Sequence, residues 1–379
     1  MTTTAQAPRR PHYWETFRPG TRYAARDLCI LRDGLGREPG SVPRMRPMHR
    51  ASLPDSLEPH EPVPAAYAAE HAALTLFGLH QSPSTATVHR PRTGLGTACR
   101  RLSRTGSISE KALDQRIIAV ATAQDLHEVT WHLRGLIPLL RTAGIGIDYT
   151  WLLRDLQFWM QPSHDRTIRA WGLQYTDRAG METSNPDSGL LTVHTFEDSP
   201  YWVTFNAQRA GAESDLAVLR RGLGHDAGTV PAMWSFYRTR ISSTAQQAGF
   251  NSQGLKAEHA ALTLFGLHQQ SRREPMHVVN TSLGLACRQL LRLPSAARTG
   301  QHIVPRRLGH LLTATDGNEL LWHLRGLIPL LRNAGIGLDY NRLSKDLLSW
   351  DNRKHPEQQA RIRSRWDRDF HMAIPTNNS

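Results

Sequence analysis

The stretch AEHAALTLFGLHQ occupies residues 69–81, and the same thirteen letters return at residues 257–269. Four further pairs of stretches match around it, in the same order in both halves of the chain. The pairs are PHYWETF (11–17) with SPYWVTF (199–205), LRDGLGREPGSVPRM (31–45) with LRRGLGHDAGTVPAM (219–233), RTGLGTACRRL (92–102) with NTSLGLACRQL (280–290), and WHLRGLIPLLRTAGIGIDYTWLLRDLQFW (131–159) with WHLRGLIPLLRNAGIGLDYNRLSKDLLSW (322–350).

This long period predicts a duplicated domain rather than a solenoid, whose repeats span about 20–50 residues. Copy one covers residues 11–175 and copy two covers residues 199–379. The segment between them, 176–198, is rich in Gly, Ser, Thr, Asp and Pro, which predicts a linker. Identity of the thirteen residues has two explanations, a fold element that both copies need or the trace of a recent duplication.

The spacing of apolar residues predicts an all-α fold for both copies. In copy two, apolar residues recur at intervals of three and four, which places them on one helical face. These residues are Leu320, Leu321, Leu324, Leu327, Ile328 and Leu331. No stretch shows the alternation of Val, Ile and Thr that a sheet requires.

Three residues in copy two predict how its helices begin and end. Pro329 is expected to bend the helix or end it early. Gly335 supplies the stop, because glycine tolerates the left-handed cap position. Asp339 then stands at the N-cap of the next helix. The GlyLeuGly stretches at 34–36 and 222–224 lack the lysine of a phosphate loop and predict a helix C-cap and turn.

Composition points to a polyanionic partner. The chain has 379 residues, with 46 Lys+Arg against 33 Asp+Glu and a formal charge of +13. Such an excess favours nucleic acid or an anionic surface, although an Arg-rich composition from a high-GC genome is the alternative. The N-terminus lacks the apolar core of a signal peptide, and no apolar stretch is long enough to cross a bilayer. We therefore expect a cytoplasmic protein that does not contact membranes.

The sequence offers little support for an enzyme or a metal site. Of 19 histidines, His71 and His80 are nine residues apart, which places them on opposite faces of one helix. We expect these and their equivalents to be surface or satisfied core histidines. Cys99 and Cys287 lie among small residues and are expected to be buried as small hydrophobes. With no HExxH, GxSxG, CxxC or Walker pattern, we predict a non-catalytic protein without cofactor or metal.

Arginines at helix ends and turns are the better lead for function. Arg220 and Arg221 end an apolar run, Arg306 and Arg307 precede another, and Arg288 follows a small-residue turn. Positions of this kind suit contacts to phosphates, which bring affinity without sequence preference. The alternative is that these are solvated residues with partners four positions away on the same helix.

The order of these blocks resembles a known family. YW..F, LRRGLG, LG.AC, LRGLIPLLR..GIGLDY..L..DL..W and a basic tail with RW are similar to the small subunit, CasB, of the type I-E CRISPR Cascade complex. The resemblance covers nearly all of copy two and most of copy one. It implies an all-α, non-catalytic subunit whose partners are the other Cascade subunits, the CRISPR guide RNA, the target DNA and the displaced single strand of the R-loop.

The resemblance also implies which residues contact nucleic acid. In copy two these are Arg220, Arg221, Arg306, Arg307, Arg325, Arg353 and Lys354, to which the turn arginine Arg288 is added. Their equivalents in copy one are Arg32, Arg116 and Arg134, with Arg100 opposite Arg288. A complex with two small subunits side by side is then supplied by one fused chain.

Copy one departs from copy two at several of these positions. Asp33 stands opposite Arg221, and Gln115 stands opposite Arg306. Trp234, Phe236 and Tyr237 of copy two, which we expect in the core, are replaced by Arg46, Met48 and His49. One alternative is therefore that copy one is weakened or vestigial. Another is that the chain is an unrelated basic helical nucleic-acid-binding or scaffold protein.

Overall fold

A computed structural model describes residues 10–54, 61–82, 85–161, 164–176, 199–293, 302–352 and 355–372. In the first half these residues form eight α-helices and one 3₁₀-helix. They are α1 (Tyr13–Thr16), α2 (Ala24–Asp33), η1 (Pro43–Met48), α3 (Ala65–Gln81), α4 (Leu95–Ser103), α5 (Glu110–Ala121), α6 (Leu126–Thr142), α7 (Tyr149–Trp159) and α8 (Asp165–Thr176).

The second half repeats this order, with one additional short helix after η2. Its elements are α9 (Tyr201–Thr204), α10 (Ala212–Arg221), η2 (Pro231–Phe236), α11 (Ser243–Gln247), α12 (Gln253–Gln269), α13 (Leu283–Leu291), α14 (Ile303–Thr313), α15 (Gly317–Ala334), α16 (Tyr340–Trp350) and α17 (Pro356–His371). Extended pairing in the described residues is limited to two isolated bridges, His89 with Ile147 and His277 with Leu338. The predicted all-α fold of two tandem copies is confirmed.

The chain divides into two compact units. The first is Met1–Asp177 together with Ile241–Phe250, and the second is Arg178–Arg240 together with Asn251–Ser379. These units do not coincide with the repeat copies, since Ile241–Phe250 belongs to copy two by alignment. The predicted limits 11–175 and 199–379 stay a prediction, and most of the predicted linker lies outside the described residues.

Within the first unit, Ile241–Phe250 packs on α8. Arg166 Nε donates to the carbonyl of Ala248 at 2.5 Å, and Arg169 Nη1 donates to the carbonyl of Gly249 at 3.2 Å. Gly249 has a φ of +58°, and a Cβ there would lie 2.2 Å from the Arg166 carbonyl oxygen. Only glycine therefore allows this close approach.

The identical stretch lies in the central helix of each copy, α3 and α12. In α3 the buried His71 contacts the Gly34 carbonyl through Nε2 at 3.1 Å, which holds the end of α2. Buried His80 contacts the Ile145 carbonyl at 3.0 Å. The Gln81 side chain accepts from the Val88 backbone N–H at 2.9 Å. Each polar residue thus satisfies backbone groups of a different segment.

The same contacts recur in α12. His259 Nε2 contacts the Gly222 carbonyl at 3.0 Å, His268 Nε2 contacts the Ile336 carbonyl at 2.9 Å, and Gln269 accepts from the Met276 N–H at 2.8 Å. Because a carbonyl only accepts, Nε2 of both histidines carries the proton. The expectation of satisfied core histidines is confirmed for the three that make two ring contacts: His80, His259 and His268.

Aromatic packing encloses these helices. Phe265 meets Tyr340 edge to face with ring centroids 5.3 Å apart, and Phe77 meets Tyr149 likewise at 5.2 Å. Cys99 and Cys287 are buried as predicted. Burial raises the pKa of both thiols to about 12, so they stay protonated at neutral pH.

The aromatic residues Trp234, Phe236 and Tyr237 are buried, as predicted. Copy one fills the place of Tyr237 with the buried His49, which stacks on Tyr67 with centroids 4.1 Å apart. Copy two has Leu255 opposite Tyr67. At these two positions copy one has a histidine in place of the tyrosine and a tyrosine in place of the leucine. The core of copy one is therefore packed differently here but remains folded.

The helix boundaries agree with most of the sequence signals. Gly335 caps α15 with a φ of +69°, and the Asp339 side chain accepts from the Arg342 N–H at the start of α16. Of the two alternatives for Pro329, an early end of the helix is wrong, because α15 continues to Ala334, and a bend at this residue stays a prediction. Buried Leu327, Ile328 and Leu331 surround the proline, and tertiary packing of this face outweighs the lost backbone hydrogen bond.

We expect Gly266→Ala to destabilise the chain by about 1–3 kcal/mol. A Cβ at Gly266 in α12 would lie 2.7 Å from Cβ of Leu219 in α10 and 3.3 Å from the backbone oxygen of Leu216. Gly309→Ala in α14 is the control, because its Cβ meets nothing within 4 Å; it should stabilise by about 0.5–1 kcal/mol. Urea unfolding of the full chain measures both. Equal shifts for the two variants would contradict the close α10–α12 contact.

The buried His268 predicts a pH-dependent stability. Burial lowers its pKa to about 4, although the bond to the Ile336 carbonyl opposes the change. Between about pH 6.5 and 4 the unfolded chain therefore binds one proton more at this residue, and stability falls by up to about 1.4 kcal/mol per pH unit.

The measurement compares wild type with His268→Gln. At pH 7.5 the variant is the less stable, because two buried hydrogen bonds are lost. The difference in free energy of unfolding between the two proteins should become smaller as the pH is lowered to 5, since only the wild type loses the stability that the neutral His268 imidazole contributes. A difference that is the same at both pH values would contradict the assignment.

Candidate nucleic-acid interface

Helices α6 and α15 carry the block WHLRGL, which is identical in the two copies, and each begins at a side-chain cap. Asp125 accepts from the Glu128 N–H at 2.7 Å, and Glu128 returns a bond to the Gln124 N–H at 2.7 Å. In α15, Asp316 accepts from the Glu319 N–H at 2.9 Å. This reciprocal capping fixes where each helix starts.

A tryptophan stands on the solvent side of each of these helices. The buried stripe of α6 includes Val129 and Leu133, and Trp131 lies two residues from each, about 200° around the helix. Trp131 is 60% exposed, and its equivalent Trp322 is 70% exposed.

In copy one a cleft of about 530 Å³ opens beside Trp131. Helices α5 and α6 form its walls, and both contribute an arginine. The lining residues are Ala112, Gln115, Arg116, Ala119, Trp131, His132, Arg134 and Gly135. The cleft thus joins one exposed aromatic ring to two of the arginines that the sequence predicts to contact nucleic acid.

The glycine of WHLRGL makes room for the arginine of the preceding helix. Arg116 Nη1 donates to the Gly135 carbonyl at 3.4 Å. In copy two a Cβ on Gly326 would lie 2.4 Å from Nη1 of Arg307. The absence of a side chain lets each guanidinium lie across the surface of the next helix.

The second arginine, that of WHLRGL itself, reaches the turn after the second helix of its copy. A Cβ on Gly36 would lie 2.6 Å from Nη1 of Arg134, and one on Gly224 would lie 3.8 Å from Nη1 of Arg325. The central helix supports this turn in copy two, because His259 binds the carbonyl of Gly222. Burial lowers the pKa of His259 to about 4, so this support is uncharged at neutral pH.

Copy two carries further basic residues on α14 and α15. Arg306, opposite Gln115 of copy one, is exposed on α14. His310 of α14 stacks on His323 of α15, with ring centroids 5.2 Å apart. Glu319 lies 3.7 Å from His323. Copy two therefore presents more basic side chains than copy one on the corresponding face.

The remaining predicted arginines lie on other elements. Arg221 is exposed in the last turn of α10, and Arg220 beside it is partly buried. Arg32 is exposed on α2, where it donates to Ser82 Oγ at 3.0 Å. Arg288 on α13 donates to the carbonyl of Met372, so its guanidinium contributes to holding α17.

Arg100, the equivalent of Arg288, is partly buried on α4. Arg353 and Lys354 lie outside the described residues. Of the arginines further along α17, Arg363 donates to the Ala314 carbonyl at 2.6 Å, and Arg365 is paired with Asp346. These two side chains therefore tie α17 to its neighbours.

The sequence interpretation missed the two exposed tryptophans. The signal was present, since Trp131 and Trp322 fall off the apolar stripe of their helices. It was overlooked because tryptophan is mostly buried in folded proteins. His310 was also missed; only the tertiary fold brings it against His323.

The residues that the structure describes hold no group of three or more His, Cys, Asp or Glu side chains placed to bind a metal ion. None of the described helices is long and apolar enough to span a membrane.

The fold defines a tandem all-helical protein in which each copy carries an exposed tryptophan on the helix that also carries the arginine of WHLRGL, with a cleft beside that tryptophan in copy one. The family model of CRISPR-associated protein Cse2 matches residues 27–175 and 215–371, and the chain belongs to this family. Cse2, also called CasB, is a non-catalytic subunit family of the CRISPR Cascade complex, which contains a guide RNA.

Among solved structures, the chain is similar to the crystal structure of CasB from Thermobifida fusca, with 25% sequence identity and a TM-score of 0.33. The match covers 55% of this chain and 98% of that chain. None of the curated proteins matches the chain significantly.

We expect Gly326→Ala to weaken DNA binding without weakening the fold. The new Cβ displaces only the flexible end of Arg307, and replacing a glycine inside a helix stabilises by about 0.5–1 kcal/mol. Gly309→Ala is the matched control, as it makes the same change in open space on α14. Filter binding of single-stranded DNA and urea unfolding measure the two effects. If Gly326→Ala binds as tightly as Gly309→Ala, Arg307 does not contact DNA from this position.

Proposed function

We propose that this chain is the small subunit of a type I-E Cascade surveillance complex and supplies two Cse2 domains in one polypeptide. Its basic residues stabilise the pairing of guide RNA with target DNA and hold the displaced DNA strand of the R-loop during antiviral defence. The partners are the other Cascade subunits, the guide RNA and the target DNA. The chain catalyses no reaction, requires no cofactor and acts in the cytoplasm.

The observation that carries this proposal is that the same basic surface is built twice. Arg116 and Arg134 in copy one, and Arg307 and Arg325 in copy two, lie against equivalent glycines, and in copy one the two arginines line a cleft with the exposed Trp131. Family membership removes the alternative of an unrelated scaffold protein. Copy one keeps all the principal helices of copy two, which favours a working domain over a vestigial one.

The arginines suit phosphates rather than base edges. Arg116, Arg134, Arg307 and Arg325 form none of the ion pairs found among the described residues; Glu128 and Glu319 each lie close to a histidine instead. Contacts of this kind are independent of sequence and displace counterions. A subunit that must accept any target sequence needs binding of this type.

Fusion of two domains removes most of the entropic cost of binding a second, separate subunit. A tethered second domain binds with an effective concentration in the millimolar range when the linker spans the two sites. We propose that one chain occupies the place of two separate small subunits. Native mass spectrometry of the assembled complex tests this, with one chain per complex as the supporting result and two as the contrary one.

Neutralising the arginines should flatten the salt dependence of DNA binding by the full chain. Each lost phosphate contact lowers the slope of log K against log salt by about 0.7 on single strands and 0.9 on duplex. The variants are Arg307→Ala with Arg325→Ala in copy two, and Arg116→Ala with Arg134→Ala in copy one. Arg26→Ala, at an exposed position on α2, is the control for charge alone.

Both double variants are expected to lower the slope, and Arg26→Ala is expected to leave it nearly unchanged. An effect confined to the copy-two variant would show that copy one has lost its nucleic-acid contact. If neither double variant differs from Arg26→Ala, the proposed interface is refuted.

A further inference from the structure

Trp131 and Trp322 differ from every other tryptophan in the chain. All ten tryptophans lie in the described residues; seven are buried and Trp151 is partly buried. The two exposed rings occupy the same position in the two copies. An indole in water is unfavourable, and its occurrence at both equivalent positions indicates a surface that contacts a partner.

The position of the ring on the helix makes this exposure permanent. The core side of α6 and α15 is filled by buried leucines and isoleucine. Trp131 and Trp322 project from the opposite side, so no change of rotamer brings them into the core. Neither ring is covered by the residues that the structure describes.

The surroundings of each ring favour a nucleotide as that partner. Arg116 and Arg134 line the same cleft as Trp131. Trp322 meets His323 edge to face, and Arg325 follows three positions later on the same helix. Each ring therefore offers a flat aromatic face for a base, with arginines on the same or the neighbouring helix for the phosphates beside it. This is the combination that binds single-stranded nucleic acid, because every base has a face that can stack.

Duplex DNA does not offer such a face. Its bases are stacked on each other, and an exposed aromatic ring gains contact only with a base that has left the stack. We propose that Trp131 and Trp322 each stack on an unpaired base of the displaced DNA strand, while the neighbouring arginines hold the flanking phosphates. This rests on the proposed function and deepens it, because it assigns the tryptophans a preference for single strands over duplex.

The experiment measures binding of the full chain to three probes: single-stranded DNA, a duplex of the same sequence, and a single strand in which abasic sites replace the bases. Trp131 and Trp322 are each replaced by alanine, leucine and phenylalanine. Loss of a stacked base should weaken binding to single-stranded DNA by about 5- to 150-fold. Trp322→Phe should retain most of the affinity, whereas Trp322→Leu should not, since leucine is apolar but not aromatic.

Binding to the duplex and to the abasic strand is expected to change little in all tryptophan variants. Equal losses on single strand and duplex would overturn the inference, because stacking on an unpaired base would not be the cause. Binding that stays unchanged while the tryptophan variants fail to join the complex would also overturn it, since a protein subunit would then cover these rings.

The arginine variants separate this inference from the proposed function. If Arg307→Ala with Arg325→Ala weakens binding to single strand and duplex alike, but the tryptophan variants bind as the wild type does, the interface stands and the stacking inference falls. If neither set has an effect, both fall.

Discussion

The central helix of each copy, α3 or α12, is the element on which the rest of the structure depends. The polar residues of its repeated stretch are buried, and several bind the backbone of segments far away in sequence, such as the Gly222 carbonyl from His259 and the Ile336 carbonyl from His268. A buried polar group without a partner is costly. Removing one of these side chains would therefore leave both a cavity and an unpaired carbonyl.

This constraint accounts for the thirteen identical residues. A position that only fills space accepts another apolar residue of similar size. Here His80, Gln81 and their equivalents must place a donor or acceptor at a fixed point, and Gly266 must admit the neighbouring helix. Both copies make the same contacts, so the same requirements of the fold apply to both. Elsewhere the copies have diverged, as where His49 and Tyr67 replace Tyr237 and Leu255.

The proposed nucleic-acid surface depends on this core without sharing its chemistry. The bond from His259 to Gly222 supports the turn that Arg325 reaches. Gly135 and Gly326 let an arginine of one helix lie over the next. The basic surface is thus formed by side chains from two helices and a turn, all positioned by packing on the central helix. Changes in its charge, such as Gln115 opposite Arg306, lie on exposed positions and do not involve the core. The two copies can therefore differ in surface charge while they keep one fold.

The sequence by itself determined the repeat, the helical fold, the caps at Gly335 and Asp339, and the burial of Trp234, Cys99 and Cys287, because these follow from local spacing and residue type. It also identified the arginines as a set. Only the tertiary structure decided which of them share a surface: Arg116 and Arg134 meet at one cleft, whereas Arg288 and Arg365 hold α17. The same applies to Pro329 within a continuous helix and to the exposed Trp131 and Trp322. In each case the outcome depends on which segment packs against the residue, and local spacing does not contain that information.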